Sequence, residues 1–195
     1  MSYNCKMQKL RSDAAQRRDQ LLDAADAVFS EHGVTAPLDL VVERAGVGRA
    51  TLYRNFPDRA ALMEALLERT LLALEEHAAV HAADADLLFV LLARFANLIV
   101  ASPAVTDYWR TVDADHPIRK AARERIANIF RGPLARALEQ GLCRPDLRLS
   151  DIPLVTGMIG ASLRGSTPAN RRILAKRALE LLRGGLAAPE SAAAQ

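Results

Sequence analysis

The sequence is short of the residues that fill β-sheets. Val occurs 11 times and Ile 7 times, against 36 Ala and 29 Leu. Ala and Leu are strong helix formers, whereas β-branched residues favour strands, so an all-α fold is expected. Cysteine is scarce too. Cys5 and Cys143 form no CxxC pair and have no His at ligand spacing, which supports neither a disulfide framework nor a cysteine zinc site and fits free thiols in a reducing compartment. A long apolar run is also missing. The longest, Leu87 to Ala101, contains Arg94 and Asn97 and falls short of the roughly 20 residues a bilayer span needs, so it reads as a buried helix and no membrane association is expected. The opening MSYNCKMQKLRS has basic residues but no apolar stretch with a small-residue cleavage site, so a cytoplasmic location is expected. Nor does charge of one sign dominate. The balance of 26 Lys and Arg against 23 Asp and Glu permits an anionic partner without requiring one.

What is present is helical periodicity. Ser12 or Asp13 is placed to cap a first helix, along which Leu21, Leu22, Ala25, Val28 and Phe29 share one face until His32-Gly33 closes it. Thr35-Ala36-Pro37 opens a short second helix to about Ala45, and Gly46-Val47-Gly48 separates it from a third, Arg49 to about Phe56. Two helices of about two turns joined by a three-residue glycine turn make a helix-turn-helix. Pro57-Asp58 starts a long fourth helix. Further helices are expected over 85–101, 104–112, 117–141 with a kink at Gly132-Pro133, 150–164 and 168–183. The predicted organisation is about nine helices. Residues 1–57 are expected to form a helix-turn-helix domain with a basic N-terminal arm (Lys6, Lys9, Arg11, Arg17, Arg18), 58–186 a larger helical domain, and 187–195 a disordered tail.

Residues 45–56 read AGVGRATLYRNF and continue PDRAAL. This segment resembles the helix-turn-helix signature of the TetR family of bacterial transcriptional regulators, with a small residue, Gly-Val-Ser, Thr-Leu-Tyr, His-Phe and then a basic residue at the next helix. The specific likeness runs from about Gly33 to Leu66. The chain departs from that pattern in Gly48 for Ser, Asn55 for His, Arg59 for Lys, Val42 for Ala, and Ala36-Pro37 where a hydroxyl residue is common, leaving Thr35 as a partial substitute.

The residues themselves suit double-stranded DNA. A recognition helix offers base-reading groups near its N-terminus and phosphate ligands around them. Arg49 is the one first-turn side chain able to make a bidentate contact to guanine, and Ala50 can meet a thymine methyl. Thr51, Tyr53, Arg54 and Asn55 carry groups suited to phosphate oxygens. Arg59, in the first turn of the fourth helix, is expected on a phosphate as well. A plain helical hairpin with ordinary surface Tyr and Arg is the competing reading.

One recognition helix reads too few base pairs to select a genomic site, so two copies are needed. Gly157, Gly160, Ala161 and Ser162 form a small-residue strip beside Leu154, Met158 and Leu163, and Leu174, Ala178, Leu181 and Leu182 give the final helix an apolar stripe. The resemblance implies that these helices pair with their copies as a four-helix bundle, giving a homodimer on a near-palindromic operator. It also implies a ligand pocket among the middle helices. Its candidate residues are Phe89, Phe95, Tyr108, Trp109, Asp113, His116, Phe130 and Met158, for an apolar, partly aromatic effector that releases a repressor from its operator. An activator or ligand-independent regulator of the same fold, and a helical small-molecule-binding protein without DNA binding, are the alternatives.

Enzyme readings find little support. His77 and His81 have the i, i+4 spacing of a zinc pair, with Asp84 as a possible third ligand, but the Glu of HExxH is absent because position 78 is Ala. Two solvated histidines are expected instead. Asp113-Ala114-Asp115-His116 before Pro117 reads as helix capping. No phosphate loop or nucleophile elbow occurs, so neither an enzyme activity nor a cofactor or metal is expected.

Overall fold

The computed structural model describes residues 2–188, with side chains from residue 13 onward. Among the described residues there are nine α-helices and two 3-10 turns, and the only extended pairing is an isolated bridge between Cys143 and Ala187. The helices are α1 (Ser2–His32), α2 (Leu38–Ala45), α3 (Arg49–Asn55), α4 (Arg59–Val80), α5 (Leu87–Ala101), α6 (Pro103–Thr111), α7 (Pro117–Glu139), α8 (Ile152–Gly160) and α9 (Pro168–Leu186).

The chain divides into two compact units after Glu68. In the first, Leu21, Leu22, Ala25, Val28 and Phe29 of α1 are buried with Val41, Leu52, Phe56, Leu62, Met63 and Leu66. The division falls inside α4 rather than at Pro57, because the first turns of α4 carry Leu62, Met63 and Leu66, all fully buried. Asp58 starts that helix by accepting a hydrogen bond from the Ala61 N–H at 2.8 Å. The first helix begins at Ser2, not at a cap on Ser12 or Asp13. No Gly or Pro interrupts the sequence before Gly33, and a hydroxyl or carboxylate residue alone does not stop a helix. The side chains of Lys6, Lys9 and Arg11 lie outside the described residues.

The core of the second unit joins Leu88, Leu91, Leu92 and Ala96 of α5 to Phe130 and Leu134 of α7 and Ile152, Val155 and Ile159 of α8. No single helix among the described residues is long and apolar enough to cross a membrane. The apolar pair α5 and α6 turns through 88° at its junction, and most of α5 lies in this core. Helix α7 passes through Pro133 as one element and ends at Glu139, and the turn after it uses Gly141, whose φ of 65° is one that glycine adopts cheaply. Before α8 lies the turn Arg144-Pro145-Asp146-Leu147, where Arg144 grips Asp146 (2.5 and 2.8 Å) and Leu147 is buried. Thr167 caps α9 by accepting from the Asn170 N–H at 3.1 Å. Helix α9 runs past Arg183 to Leu186, and Ala187 and Ala188 then pair with the Leu142–Arg144 backbone, so the start of the expected tail is ordered. Residues 189–195 lie outside the described residues.

Candidate nucleic-acid interface

The reading element is built by the turn between α2 and α3. Gly46 adopts φ 65°, and the N–H groups of Gly46 and Val47 return to the carbonyls of Glu43 and Val42, closing α2 as a left-handed cap. Gly48 is extended (φ −78°, ψ 152°) and caps α3 without a side-chain bond. This loses little, because Gly is itself an acceptable N-cap. Val41, Leu52 and Phe56 are buried, which fixes the roll of α3 and turns Arg49, Ala50, Tyr53 and Arg54 outward. Tyr53 is half exposed. A phenol left in water on a short helix has its apolar body and polar tip available to a partner.

Each expected DNA residue has a definite place. Arg49 and Ala50 are exposed at the N-terminus of α3, but the Arg49 guanidinium is paired with Asp39 of α2. Asp39 was not anticipated, because no local spacing rule links a first-turn Asp of one helix to an Arg ten residues on. Thr51 is half-buried, and its carbonyl accepts from the Asn55 amide at 2.8 Å, so Asn55 is partly turned onto its own helix. Arg54 is exposed, and Thr35 is exposed in the link before α2.

Arg59, expected on a phosphate, is turned onto the protein in this structure. Its guanidinium donates to the Val34 carbonyl and to the Ala36 carbonyl (2.6 Å) and lies 5.2 Å from the Phe29 ring centroid. It braces the link between α1 and α2, where two backbone carbonyls need donors. Arg18, expected in a loose basic arm, is part of α1 and stacks over Phe56 at 4.7 Å. Arg44 and Glu31 join α2 to α1 by two hydrogen bonds (3.0 and 2.6 Å), and that bond is the main reason the Glu31 carboxyl is held below its usual pKa.

In the second unit the expected ligand residues do not converge. Phe130 is completely buried, Phe89 and Trp109 are nearly so, and Met158 is half exposed on the surface. Tyr108 and Trp109 meet edge to face at 5.3 Å, and His116 lies 6.1 Å from Trp109. Asp113 accepts from the Asp115 N–H at 2.7 Å and so serves the turn before α7. A cavity of about 400 Å³ lies elsewhere in this unit, bounded by α5, α6, α7, α8 and the 3-10 turn after α8. Of the eight expected residues only Phe95 lines it. Arg110, Arg119 and Arg164 share its wall, residues that no spacing in the sequence singled out.

The expected dimer residues are mostly exposed. Leu154, Gly157, Met158, Ala161, Leu174 and Leu181 are open to solvent, and Ala178 and Leu182 are half-buried. Ile173, not anticipated, is 67% exposed beside them in sequence. The His77 and His81 rings lie 4.2 Å apart, tilted by 44°, and both residues are half-buried rather than solvated as expected; burial is the main cause lowering the His77 pKa. His81 is bonded to Asp84 at 2.8 Å. Among the described residues no group of three or more potential ligands could hold a metal ion.

Comparison with known proteins agrees with this geometry. The sequence profile of bacterial regulatory proteins of the TetR family matches residues 21–66. A Staphylococcus aureus HTH-type transcriptional regulator is 32% identical over 63 residues, 32% of this chain, and the match spans about a third (34%) of that relative's length. A crystal structure of a TetR transcriptional regulator from Streptomyces coelicolor is 33% identical, covering 89% of this chain and 99% of that one with a TM-score of 0.68. One of a TetR regulatory protein from Mycobacterium vanbaalenii is 25% identical, covering 91% and 99%, with a TM-score of 0.67. With a helix-turn-helix of this geometry and a similarity that extends over nearly the whole chain, the protein belongs to the TetR family of bacterial regulatory proteins.

Proposed function

We propose that the chain is a DNA-binding transcriptional repressor that acts as a homodimer on a near-palindromic operator and is released by a small molecule. The observation that carries the DNA reading is the outward face of α3, where Arg49, Ala50, Tyr53 and Arg54 are exposed while Leu52 and Phe56 hold the helix in place. In this reading Arg49 reads a guanine and Ala50 a thymine methyl. Tyr53, Arg54, Thr51, Asn55 and Thr35 contact phosphates and set the register.

The dimer is supported by the run of exposed apolar side chains Leu154, Met158, Ile173, Leu174 and Leu181 on α8 and α9, because contiguous exposed apolar surface marks interaction sites. Release by a small molecule is supported by the cavity in the second unit.

Selection of bound duplexes from random DNA tests the function. The expected product is an inverted repeat with half-sites about one helical turn, roughly 34 Å, apart. Failure to enrich any sequence, together with unchanged binding of nonspecific duplex by Arg49→Gln and Tyr53→Phe variants at low salt, would remove the DNA role.

A further inference from the structure

The wall of the cavity in the second unit carries three guanidinium groups and no carboxylate. Arg110 comes from α6, Arg119 from α7 and Arg164 from the 3-10 turn after α8, so three separate elements bring like charge to one concavity. Like charges around one concave surface focus a positive potential that favours an anion. Arg110 and Arg164 are exposed at this surface. Arg110 forms one exposed ion pair, with Asp107 of its own helix at 3.6 Å, and Arg164 has no ion-pair or hydrogen-bond partner among the described residues. Arg119 is half-buried, and its Nη1 donates to the Val112 carbonyl, which holds the guanidinium in place with other N–H groups left over.

The rest of the wall is apolar or small. Phe95 and Ile99 of α5 offer a hydrocarbon surface. Gly160 has helical dihedrals (φ −59°, ψ −21°) that any residue adopts, and a Cβ placed there meets nothing within 4 Å. Its lack of a side chain therefore leaves room at the cavity without serving the backbone.

We infer that this cavity binds an amphipathic organic anion, a carboxylate or phosphate head held by Arg110, Arg119 and Arg164 with its apolar body against Phe95 and Ile99. The inference rests on the ligand-responsive reading above and replaces its apolar aromatic effector with a charged one. A volume of about 400 Å³ lies within the range of small-molecule sites.

The test uses the full chain and four probes: decanoate, decyl phosphate, decanol and decylammonium, each titrated calorimetrically. One or both anions should bind saturably and about tenfold or more tighter than decanol, with decylammonium weakest. The two anionic arms decide the head group. The double variant Arg110→Gln with Arg164→Gln should lose the preference for charge. It is checked for unchanged melting without ligand. Should a variant fail to fold, the wild-type salt response decides, since raising NaCl should weaken the anions and leave decanol unaffected. Decanol binding as tightly as the tighter-binding anion, or no anion binding at all, would overturn the site. Operator affinity measured alongside separates the two readings. Release by a neutral compound with no anion binding sinks this site alone, and charge-selective binding that leaves operator affinity unchanged sinks the ligand-responsive reading alone.

Discussion

Asp39 of α2 and Arg49 of α3 face each other across the helix-turn-helix, with the Arg49 guanidinium donating to Oδ2 of Asp39. Both side chains are more than half exposed, so the pair adds little to stability, but it does decide where the reading guanidinium sits before DNA arrives. An Arg already held by a carboxylate leaves it only for a partner that supplies an equally good acceptor pair, and the O6 and N7 atoms of guanine do so where other base edges do not. Asp39→Asn should therefore raise affinity for random duplex while lowering the ratio of operator to random binding. Arg49→Gln should weaken operator binding by about 1–3 kcal/mol and relax selectivity at one base pair per half-site. Fluorescence anisotropy on matched duplexes checks both. An unchanged ratio in Asp39→Asn would mean that the carboxylate has no part in discrimination.

Arg59 separates a brace from a phosphate ligand. Replacing it with Leu leaves the Val34 and Ala36 carbonyls without their donor and removes the cation from the Phe29 ring. Melting should show a loss of about 1–3 kcal/mol. Arg59→Lys should recover only part of this, because an ammonium does not reproduce the planar fork that reaches two carbonyls. The salt dependence of nonspecific DNA binding should keep its slope. A slope reduced by about one with unchanged stability would restore the phosphate role instead.

The recognition element was legible in the sequence because its determinants are local. Gly46 must take a positive φ, Gly48 must be extended, and Val41, Leu52 and Phe56 fall at helical spacing, all within 16 residues. The Asp39–Arg49 pair and the three-arginine cavity were not legible, since each depends on which faces of separate helices meet. Aromatic character misled for a related reason. Phe130 has the composition of a ligand-binding residue, but it sits at the centre of the core, where bulk alone places it. Ser12 and Asp13 point to a later start of α1 than the structure has, because such capping signals are overridden when helix formers continue on both sides.

The exposed apolar side chains of α8 and α9 carry the assembly prediction. Leu174 and Leu181 are 38% and 59% exposed and lie seven residues apart on α9, on one face of the helix. Changing both to Glu should leave the single chain folded, because neither belongs to its core, while placing charge in the middle of an apolar interface. Light scattering should then give the mass of one chain, 21.2 kDa, where the unaltered protein gives twice that. Affinity for an inverted repeat should fall by about two orders of magnitude or more as the second half-site ceases to be bound intramolecularly. Retention of the doubled mass would place the interface elsewhere.

Glu75 of α4 and Arg125 of α7 supply a pH signature within the second unit. Arg125 donates to both carboxylate oxygens, at 2.5 and 2.7 Å, and this charged hydrogen bond is the main cause that lowers the Glu75 pKa below its ordinary 4.5, against the opposing effect of burial. A carboxyl whose folded pKa is depressed binds fewer protons folded than unfolded, so its stabilisation is complete above the ordinary value and drains away as pH falls through the folded one. Both side chains keep about a third of their exposure, so screening holds the contribution to about 0.5–1 kcal/mol. Glu75→Gln should therefore lower the melting temperature at pH 7 by a few degrees or less, and the gap to the unaltered protein should narrow as the pH drops below 4.5. Urea titrations at pH 7, 5 and 3 measure it. Parallel curves across that range would show that the pair contributes nothing that depends on the charge of Glu75.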